Sequence, residues 1–283
     1  MENISIVIPA YNEERAIGDV IRRVQGILTG KYTYEILVVN DGSTDRTLEE
    51  ATRAGARVIS NPMNMGYGFS LKRGIREAAH ECVVITDADG TYPADKIPEL
   101  VNTFNRGFDM VVGKREGKEY WSSIPKGIAR WCFKWMSEYV VGKRIPDINS
   151  GFRAIRKSLI LPILPDLSNS FSFSTSSTLI FMLKHYFVTY IPVAYGKRTG
   201  KSKVRYFRDA LIATQIMTEI IARYNPIKLF LFLAVFPFLV AVVFFLMALV
   251  FGHGGLLMVS IISMYFTLFL MALGFFASMF QRR

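Results

Sequence analysis

Two stretches near the C-terminal end of the chain, Leu229–Phe251 and Leu256–Phe280, contain no charged residue. Each exceeds the ~20 apolar residues that an α-helix needs to cross a hydrocarbon core of roughly 30 Å. Buried core helices share this composition, but no other segment is large enough to cover two such helices on every side. The stretches therefore read as two membrane spans joined by the tiny connector Gly252-His253-Gly254-Gly255. That connector holds no Lys or Arg, whereas Lys228 precedes the first span and Arg282-Arg283 follow the second, so both ends are expected on the cytoplasmic side. The division expected is a catalytic-sized unit over 1–203, an interfacial helix over 204–226 and a transmembrane hairpin over 227–283.

The 283-residue length leaves room upstream of the spans for one domain-sized unit and not for two. Met1-Glu2-Asn3-Ile4-Ser5-Ile6-Val7-Ile8 lacks a basic n-region and has only a short apolar run. It reads as a strand rather than a signal peptide, with synthesis beginning in the cytosol. A formal net charge of +11 attracts polyanions of any kind, whether nucleic acid, anionic headgroups or phosphorylated substrates. Cys82 and Cys132 show neither CxxC spacing nor a secretory pattern and read as buried thiols in a reducing compartment.

From Met1 to about Gly113, short β-branched runs alternate with amphipathic stretches, the pattern of βαβ units in a doubly wound α/β fold with a parallel sheet. The expected strands are Ser5–Ile8, Glu35–Asn40, Arg57–Ser60, Cys82–Thr86 and Met110–Val112. Ile17/Val20/Ile21/Val24/Leu28, Leu48/Ala51 and Leu71/Ile75/Ala78/Ala79 recur at helical spacing and predict crossover helices. Such sheets bind ligands beyond the carboxyl ends of their strands, where the strand order reverses. The informative loops are then Pro9–Glu14, Asp41–Asp45 and Asp87–Gly90. From Lys114 to Arg205 the periodicity weakens and glycines and prolines interrupt, as in a region that builds an acceptor site and lids.

Two stretches suit amphipathic helices lying in a membrane interface. Pro125–Val141 puts Ile128, Trp131, Cys132, Trp135, Met136 and Tyr139 on one face beside Lys126, Arg130 and Lys134. Val204–Arg223 carries Leu211, Ile212, Ile216, Ile220 and Ile221 flanked by Arg205, Arg208 and Arg223. Taken alone, each also suits a core-facing helix, and the neighbouring spans favour the interface.

Asp87-Ala88-Asp89 places two carboxylates on alternate positions just past an apolar strand. Where the backbone turns, both reach one cation, and hard oxygen ligands suit Mg²⁺ or Mn²⁺ bridging a diphosphate. A lone DxD is common in surface loops, so its position after a buried strand is what gives it weight. Asp41 also follows a strand and is placed to accept hydrogen bonds from a base or ribose; turning the chain and capping the next helix is the competing role, and the one assigned to Asp45. Pro9 is expected to end the first strand, Tyr11 to pack on a base, and Glu13 either to touch ribose or base edge or to favour the following helix start. In Asn64-Met65-Gly66-Tyr67-Gly68 the glycines suit close backbone approach to a ligand, or equally a helix start after a turn.

Ile6-Val7-Ile8-Pro9-Ala10-Tyr11-Asn12-Glu13, Asn40-Asp41-Gly42-Ser43-Thr44-Asp45, Asn64-Met65-Gly66-Tyr67-Gly68, Asp87-Ala88-Asp89 and Ser150-Gly151-Phe152-Arg153 stand in this order along the chain. Over roughly the first two hundred residues the set resembles family 2 glycosyltransferases, and more closely the polyprenyl- or dolichyl-phosphate sugar synthases of dolichol-phosphate mannosyltransferase type. The resemblance implies a mixed-sheet, Rossmann-like nucleotide-diphosphosugar fold of the GT-A kind, inversion at the anomeric carbon, and Mg²⁺ or Mn²⁺. It implies that Pro9, Tyr11, Glu13, Asp41 and Ala88 bind the nucleotide sugar and that Asp87 and Asp89 hold metal and diphosphate. Such enzymes often carry Gln two positions after the DxD, where this chain has Thr91, so no third metal ligand is assigned. Asn40 stands where Asp is frequent, which leaves Asp41 as the nucleotide ligand.

The partners implied are a nucleotide-sugar donor of the GDP-mannose or UDP-glucose type, a polyprenyl-phosphate acceptor and a membrane, with no nucleic acid; a two-span anchor also suits packing against copies of itself. For the acceptor phosphate, the basic groups between core and first span include Arg115, Lys126, Arg130, Arg153 and Lys197-Arg198-Thr199-Gly200-Lys201-Ser202-Lys203. Arg115, Arg130, Ser150 and Arg198 are the residues selected for phosphate contact, and Asp89, Arg115 and Arg198 for catalysis. Lys201, Lys203 and Arg205 equally suit a polybasic strip on anionic headgroups. A hydroxyl acceptor, as in glycolipid synthesis, and a non-catalytic membrane scaffold are the competing functions; the Asp87/Asp89 pair and Asp41 speak against the scaffold.

Overall fold

In the computed structural model of the chain, the described residues are 3–116, 134–196 and 206–281. The chain packs as two compact units, Met1–Ile216 and Met217–Arg283. The first is built on seven strands: β1 (Asn3–Ala10), β2 (Thr33–Asn40), β3 (Arg57–Ser60), β4 (Cys82–Ile85), β5 (Met110–Glu116), β6 (Arg153–Arg156) and β7 (Val188–Ala194). Their order is β3-β2-β1-β4-β6-β5-β7. β1 to β4 pair in parallel, β6 runs antiparallel to β4 and to β5, and β5 and β7 pair in parallel. The five expected strands all form, in a sheet that is mixed rather than parallel throughout.

Residues 4–10 of β1, the last five residues of β2 and all of β4 are buried, which explains their continuous apolar runs: helices cover both faces. Helix α1 (Ile17–Leu28) buries Ile17, Val20, Ile21, Val24 and Leu28, the stripe read from the sequence. In α2 (Thr47–Arg53) the buried positions are Thr47 and Ala51, one turn apart, so Leu48 falls off the stripe and is 43% exposed, contrary to expectation. Helix α3 (Tyr67–Glu77) packs on the sheet through Leu71, Gly74 and Ile75. A Cβ at Gly74 would lie 2.5 Å from Val7 Cγ1 and 3.1 Å from Val39 Cγ2, so only glycine lets α3 lie this close.

Pro9 does not end β1, which runs on through Ala10 opposite Asn40. Thr86 N–H bonds the Val7 carbonyl and Asp41 N–H the Ala10 carbonyl. Odd residues thus face β4 and even ones β2, and Pro9 faces β4 where its ladder has already stopped at Ile85. The missing N–H has no ladder bond to lose there.

The remaining helices are α4 (Ile97–Phe104), α5 over 134–141, α6 (Lys157–Ile160), α7 (Phe173–Leu183) and α8 (Tyr206–Tyr224). Ser/Thr-rich α7 gave no helical signal, yet every residue from Phe173 to Met182 is buried. Its hydroxyls turn back on the helix, Ser177 Oγ to the Phe173 carbonyl at 2.9 Å and Thr178 Oγ1 to the Ser174 carbonyl at 2.9 Å. Of the interfacial stretches, α5 covers only the end of the first; Trp135 there is 46% exposed and stacks on Tyr139 at 5.9 Å. In α8 the buried positions include Met217, Ile220 and Ile221. Cys82 is a buried thiol, and Cys132 lies outside the described residues.

The second unit holds α9 (Pro226–Phe251) and α10 (Gly254–Gln281), packed as a hairpin. Asn225 caps α9 by accepting from Lys228 N at 3.4 Å, Pro226 takes its first position, and Gly252 ends it at φ +63°. Ala234 and Ala241 are buried, Ser260 Oγ donates to the Ala241 carbonyl at 2.8 Å, and a Cβ at Gly274 would lie 2.8 Å from Phe230 Cβ: small residues bring the backbones together. Only 17% and 11% of the two apolar windows is buried. Core helices of a water-soluble protein would be covered, so both are membrane-length helices that present apolar surface.

Candidate active site

Strand directions decide which loops meet. β1, β2, β3 and β4 share one direction, and β5, two reversals away across β6, shares it too, as does β7. The segments after these strands therefore emerge on one edge, as does the segment before the reversed β6. That edge collects loop 11–16, loop 41–46, Asp87 and Asp89, the end of β5 with Arg115, residues 147–152, and Tyr195. The order changes hands between β1 and β4, where a crevice is expected.

Loops 11–16 and 41–46 are laced together. Asn12, at φ +51°, accepts from Thr44 N–H at 2.8 Å, Ser43 Oγ accepts from Asn12 N–H at 3.0 Å, and Thr47 Oγ1 accepts from Glu13 N–H at 2.8 Å. The Glu13 carbonyl receives Ala16 and Ile17 N–H at the start of α1, while Tyr11 and Glu13 are half-buried at the edge. Asp45 takes the structural role assigned to it, accepting from Thr47 N–H and Oγ1 and from Glu14 N–H. Burial raises its pKa, but these bonds prevail and hold it below the usual value.

Asp41 is 3% exposed. Its Oδ1 accepts from Asn61 Nδ2 at 2.7 Å and Met65 N–H at 3.0 Å, and its Oδ2 from Gly66 N–H at 2.8 Å. Three of roughly four acceptor positions are thus used within the protein. The Asn64–Gly68 glycines answer to the chain itself: a Cβ at Gly66 would lie 2.8 Å from the Asn169 carbonyl oxygen, and one at Gly68 only 2.2 Å from that of Ser168. Lys72 is buried, its Nζ donating to the Leu167 carbonyl and to Asn169 Oδ1 at 2.7 Å, with its pKa lowered by burial first and by Arg76 second.

Asp89 is 5% exposed and Ala88 beside it is buried. Asp89 Oδ1 accepts from Thr91 Oγ1 at 2.7 Å and Thr91 N–H at 3.1 Å, and Asp87 Oδ1 accepts from Tyr67 Oη at 3.0 Å. Burial raises the Tyr195 phenol above its ordinary value, and Asp87 and Asp89 add to that rise. Tyr67 stacks on Phe171 at 5.6 Å, and its phenol is pushed well above the usual range by burial and then by Asp87. Tyr92 stacks on Phe152, meets Tyr195 edge-on, and accepts from Gly151 N–H at 2.8 Å.

Arg115 is held by an acid the sequence reading missed. Its Nε donates to Asp147 Oδ2 at 2.8 Å and its Nη2 to Oδ1 at 2.9 Å, and its guanidinium lies 5.5 Å from the Tyr195 ring centroid. Burial raises the Asp147 carboxyl, but Arg115 together with the Asn149 N–H outweighs burial and leaves it below its ordinary value. Arg153, expected among groups facing a phosphate, is instead fully buried. It donates to the Ser150 and Ser174 carbonyls, Ser177 Oγ and Thr178 Oγ1, and burial lowers its pKa. Ser150 is fully buried too. Arg130 and Arg198 lie outside the described residues, as do Lys126 and residues 197–205.

Tyr67, Tyr92, Asp147 and Tyr195 complete this cluster without having been selected from the sequence. Asp147 had a signal, standing three positions before Ser150 in Asp147-Ile148-Asn149-Ser150-Gly151-Phe152-Arg153; Tyr195 had none. Among the described residues no group of three or more His, Cys, Asp or Glu is arranged to hold a metal. The pair at 87 and 89 still fits Mg²⁺ or Mn²⁺, since Mg²⁺ is commonly bound through one or two carboxylates, with water and substrate phosphates completing its shell.

The sequence signature of Glycosyl transferase family 2 matches residues 5–161. A dolichyl-phosphate hexose transferase of Haloferax volcanii is 30% identical over 208 residues, covering 73% of this chain and 88% of that protein. A dolichol-phosphate mannosyltransferase of Pyrococcus furiosus is 31% identical over 214 residues, 71% of this chain and 59% of its own length. An undecaprenyl-phosphate 4-deoxy-4-formamido-L-arabinose transferase of Pectobacterium atrosepticum is 30% identical over 62% of this chain and 58% of its own, so the chain spans under two thirds of these two relatives. Among solved structures, glucosyl-3-phosphoglycerate synthase from Mycobacterium tuberculosis, in complex with UDP, has a TM-score of 0.64 at 20% identity over 77% of this chain and 80% of that one. The same enzyme in complex with Mn²⁺, UDP and phosphoglyceric acid gives 0.61 at 20% identity, over 79% of each chain. The fold is thus the GT-A kind found in an enzyme crystallised with a divalent metal. With a signature over more than half its length and a relative at 30% identity across nearly three quarters of it, the chain belongs to glycosyl transferase family 2.

Proposed function

We propose that this chain transfers a hexose, with inversion, from a nucleotide-diphosphosugar of the GDP-mannose or UDP-glucose type to a polyprenyl or dolichyl phosphate at the cytoplasmic face of a membrane. The observation that carries the reading is the meeting of Asp87 and Asp89 with loops 11–16 and 41–46 at one sheet edge, in a chain that also has two membrane-length helices. The relatives' names, which pair lipid phosphates with sugars, support the acceptor. The spans are Leu229–Phe251 and Leu256–Phe280, with both termini cytoplasmic.

In this reading Pro9, Tyr11, Glu13, Asp41 and Ala88 line the nucleotide, and Asp87 and Asp89 hold Mg²⁺ or Mn²⁺ together with the diphosphate. When bound, the cation neutralises charge on the leaving diphosphate. A phosphate monoester, with a second pKa near ~6, is largely dianionic at neutral pH and attacks without a protein base. That leaves the protein alignment and charge to supply. Arg115, which Asp147 holds, is assigned to the acceptor phosphate together with Arg130, Ser150 and Arg198, and Asp89, Arg115 and Arg198 are assigned to catalysis.

The test incubates purified full-length protein with a short-chain polyprenyl phosphate, Mg²⁺ or Mn²⁺, and a panel of GDP- and UDP-sugars, with products detected by mass. A lipid-phosphate hexose supports the reading. Transfer to a lipid hydroxyl and none to the phosphate would replace it with glycolipid synthesis.

A further inference from the structure

Each acid of the Asp87/Asp89 pair has one oxygen bonded to a hydroxyl from a fixed side chain. Tyr67 Oη reaches Asp87 Oδ1, and Thr91 Oγ1 reaches Asp89 Oδ1, where the Thr91 N–H joins it. Neither donor moves easily. Tyr67 begins α3, stacks on Phe171, and follows the Gly66 N–H that is bonded to Asp41. Thr91 is 1% exposed, and its carbonyl receives Gly196 N–H at 2.9 Å. On the far side, a Cβ at Gly151 would lie 2.8 Å from Tyr67 Oη and 3.1 Å from Asp87 Oδ1, so the absence of a side chain there keeps this contact intact.

A carboxylate tied at one oxygen to an immobile hydroxyl keeps one orientation, and the entropy of ordering it is spent before a ligand arrives. We propose that Tyr67 and Thr91 are positioning residues, one for each aspartate, that orient the two carboxylates for a divalent cation bound with a diphosphate. Thr91 then acts through Asp89 rather than as a ligand itself. The inference rests on the role given to Asp87 and Asp89 above.

The test measures Mn²⁺ binding directly, by electron paramagnetic resonance titration of detergent-solubilised full-length protein, with GDP in one arm and UDP in another. Tyr67→Phe and Thr91→Val each weaken Mn²⁺ binding by about 10–100-fold, the usual effect of removing such outer-shell partners. Thr91→Ser, which keeps the hydroxyl, restores wild-type affinity. Gly151→Ala, which touches no ligand, weakens binding in the same sense by wedging Tyr67 from Asp87. Wild-type affinity in Tyr67→Phe and Thr91→Val, with binding lost in Asp89→Ala, overturns the inference and leaves the metal role standing. Failure of Thr91→Ser to restore binding also overturns it, since Thr91 would then be acting through its shape. Wild-type affinity in Asp89→Ala instead overturns the underlying assignment of the pair.

Discussion

Replacing Asp147 with alanine leaves the Arg115 guanidinium without its carboxylate, in a place where the pair has side-chain exposures of only 15% for Arg115 and 3% for Asp147. Removing one partner of a buried pair typically costs ~3–5 kcal/mol, mostly from stranding the other charge. The residual exposure of Arg115 lets it recover some hydration, which puts the expected loss near the lower end, about 3 kcal/mol. For a unit of this size that corresponds to a fall in melting temperature of roughly 6–12 °C. The assay is thermal unfolding of the solubilised full-length chain, beside the paired variant Arg115→Met with Asp147→Leu, which removes both charges and should recover most of the loss. The pH dependence has a definite sign. Because the Asp147 pKa lies below its ordinary 3.8 in the folded chain, its contribution is fully present above that value and disappears as pH falls through the folded pKa. The gap between wild type and Asp147→Ala should therefore be constant from pH 5 to 8, by the ordinary carboxylate pKa of ~4, and close only in stronger acid. A loss under about 1 kcal/mol, the scale of a surface pair, or a paired variant as unstable as Asp147→Ala alone, would refute the reasoning.

Asp89→Ala should lower lipid-phosphate glycosylation by at least about 10²-fold while the protein still sediments with membranes; turnover near wild type would remove Asp89 from the site. Gly68→Ala pushes a Cβ to 2.2 Å from a backbone oxygen at Ser168, so residues 168–170 must shift, at ~1–3 kcal/mol measured as a lowered melting temperature. Arg153→Met removes the side-chain donors to the buried Ser150 carbonyl, whereas the Ser174 carbonyl keeps Thr178 Oγ1 and Ser177 Oγ. An orphaned carbonyl costs about 1–3 kcal/mol, and the variant should melt lower without a change in the nucleotide concentration needed for half-saturation.

Much of the fold was legible because its signals are local. Runs such as Ile6–Ile8 and Cys82–Ile85 are apolar at every position because helices cover both faces, and the α1 stripe repeats over three turns. The two long apolar helices declared themselves by length and absence of charge. What stayed hidden was of two kinds. Leu48 belongs to a seven-residue helix, too short for periodicity to separate a buried stripe from its neighbour. Five of the first six residues of helix α7 carry hydroxyls, and two of these, Ser177 and Thr178, meet Arg153, brought in from a strand twenty residues upstream in sequence.

The candidate site divides in the same way, and the reason lies in the direction of one strand. Looking just past the carboxyl end of each strand finds Asp41 after β2 and Asp87 and Asp89 after β4, because those strands are parallel. The antiparallel strand β6, inserted between β4 and β5, inverts that rule: the residues it brings to the functional edge are those before it. Asp147, Ser150 and Gly151 therefore arrive at that edge from the amino-terminal side of a strand, and a search confined to loops after strands passes over the Arg115 partner. The same inversion explains why Gly151 can sit against Tyr67 and Asp87, which come from α3 and the end of β4. Three chain segments distant in sequence thus set the orientation of one carboxylate, and only the strand order, not any single motif, could have announced their meeting.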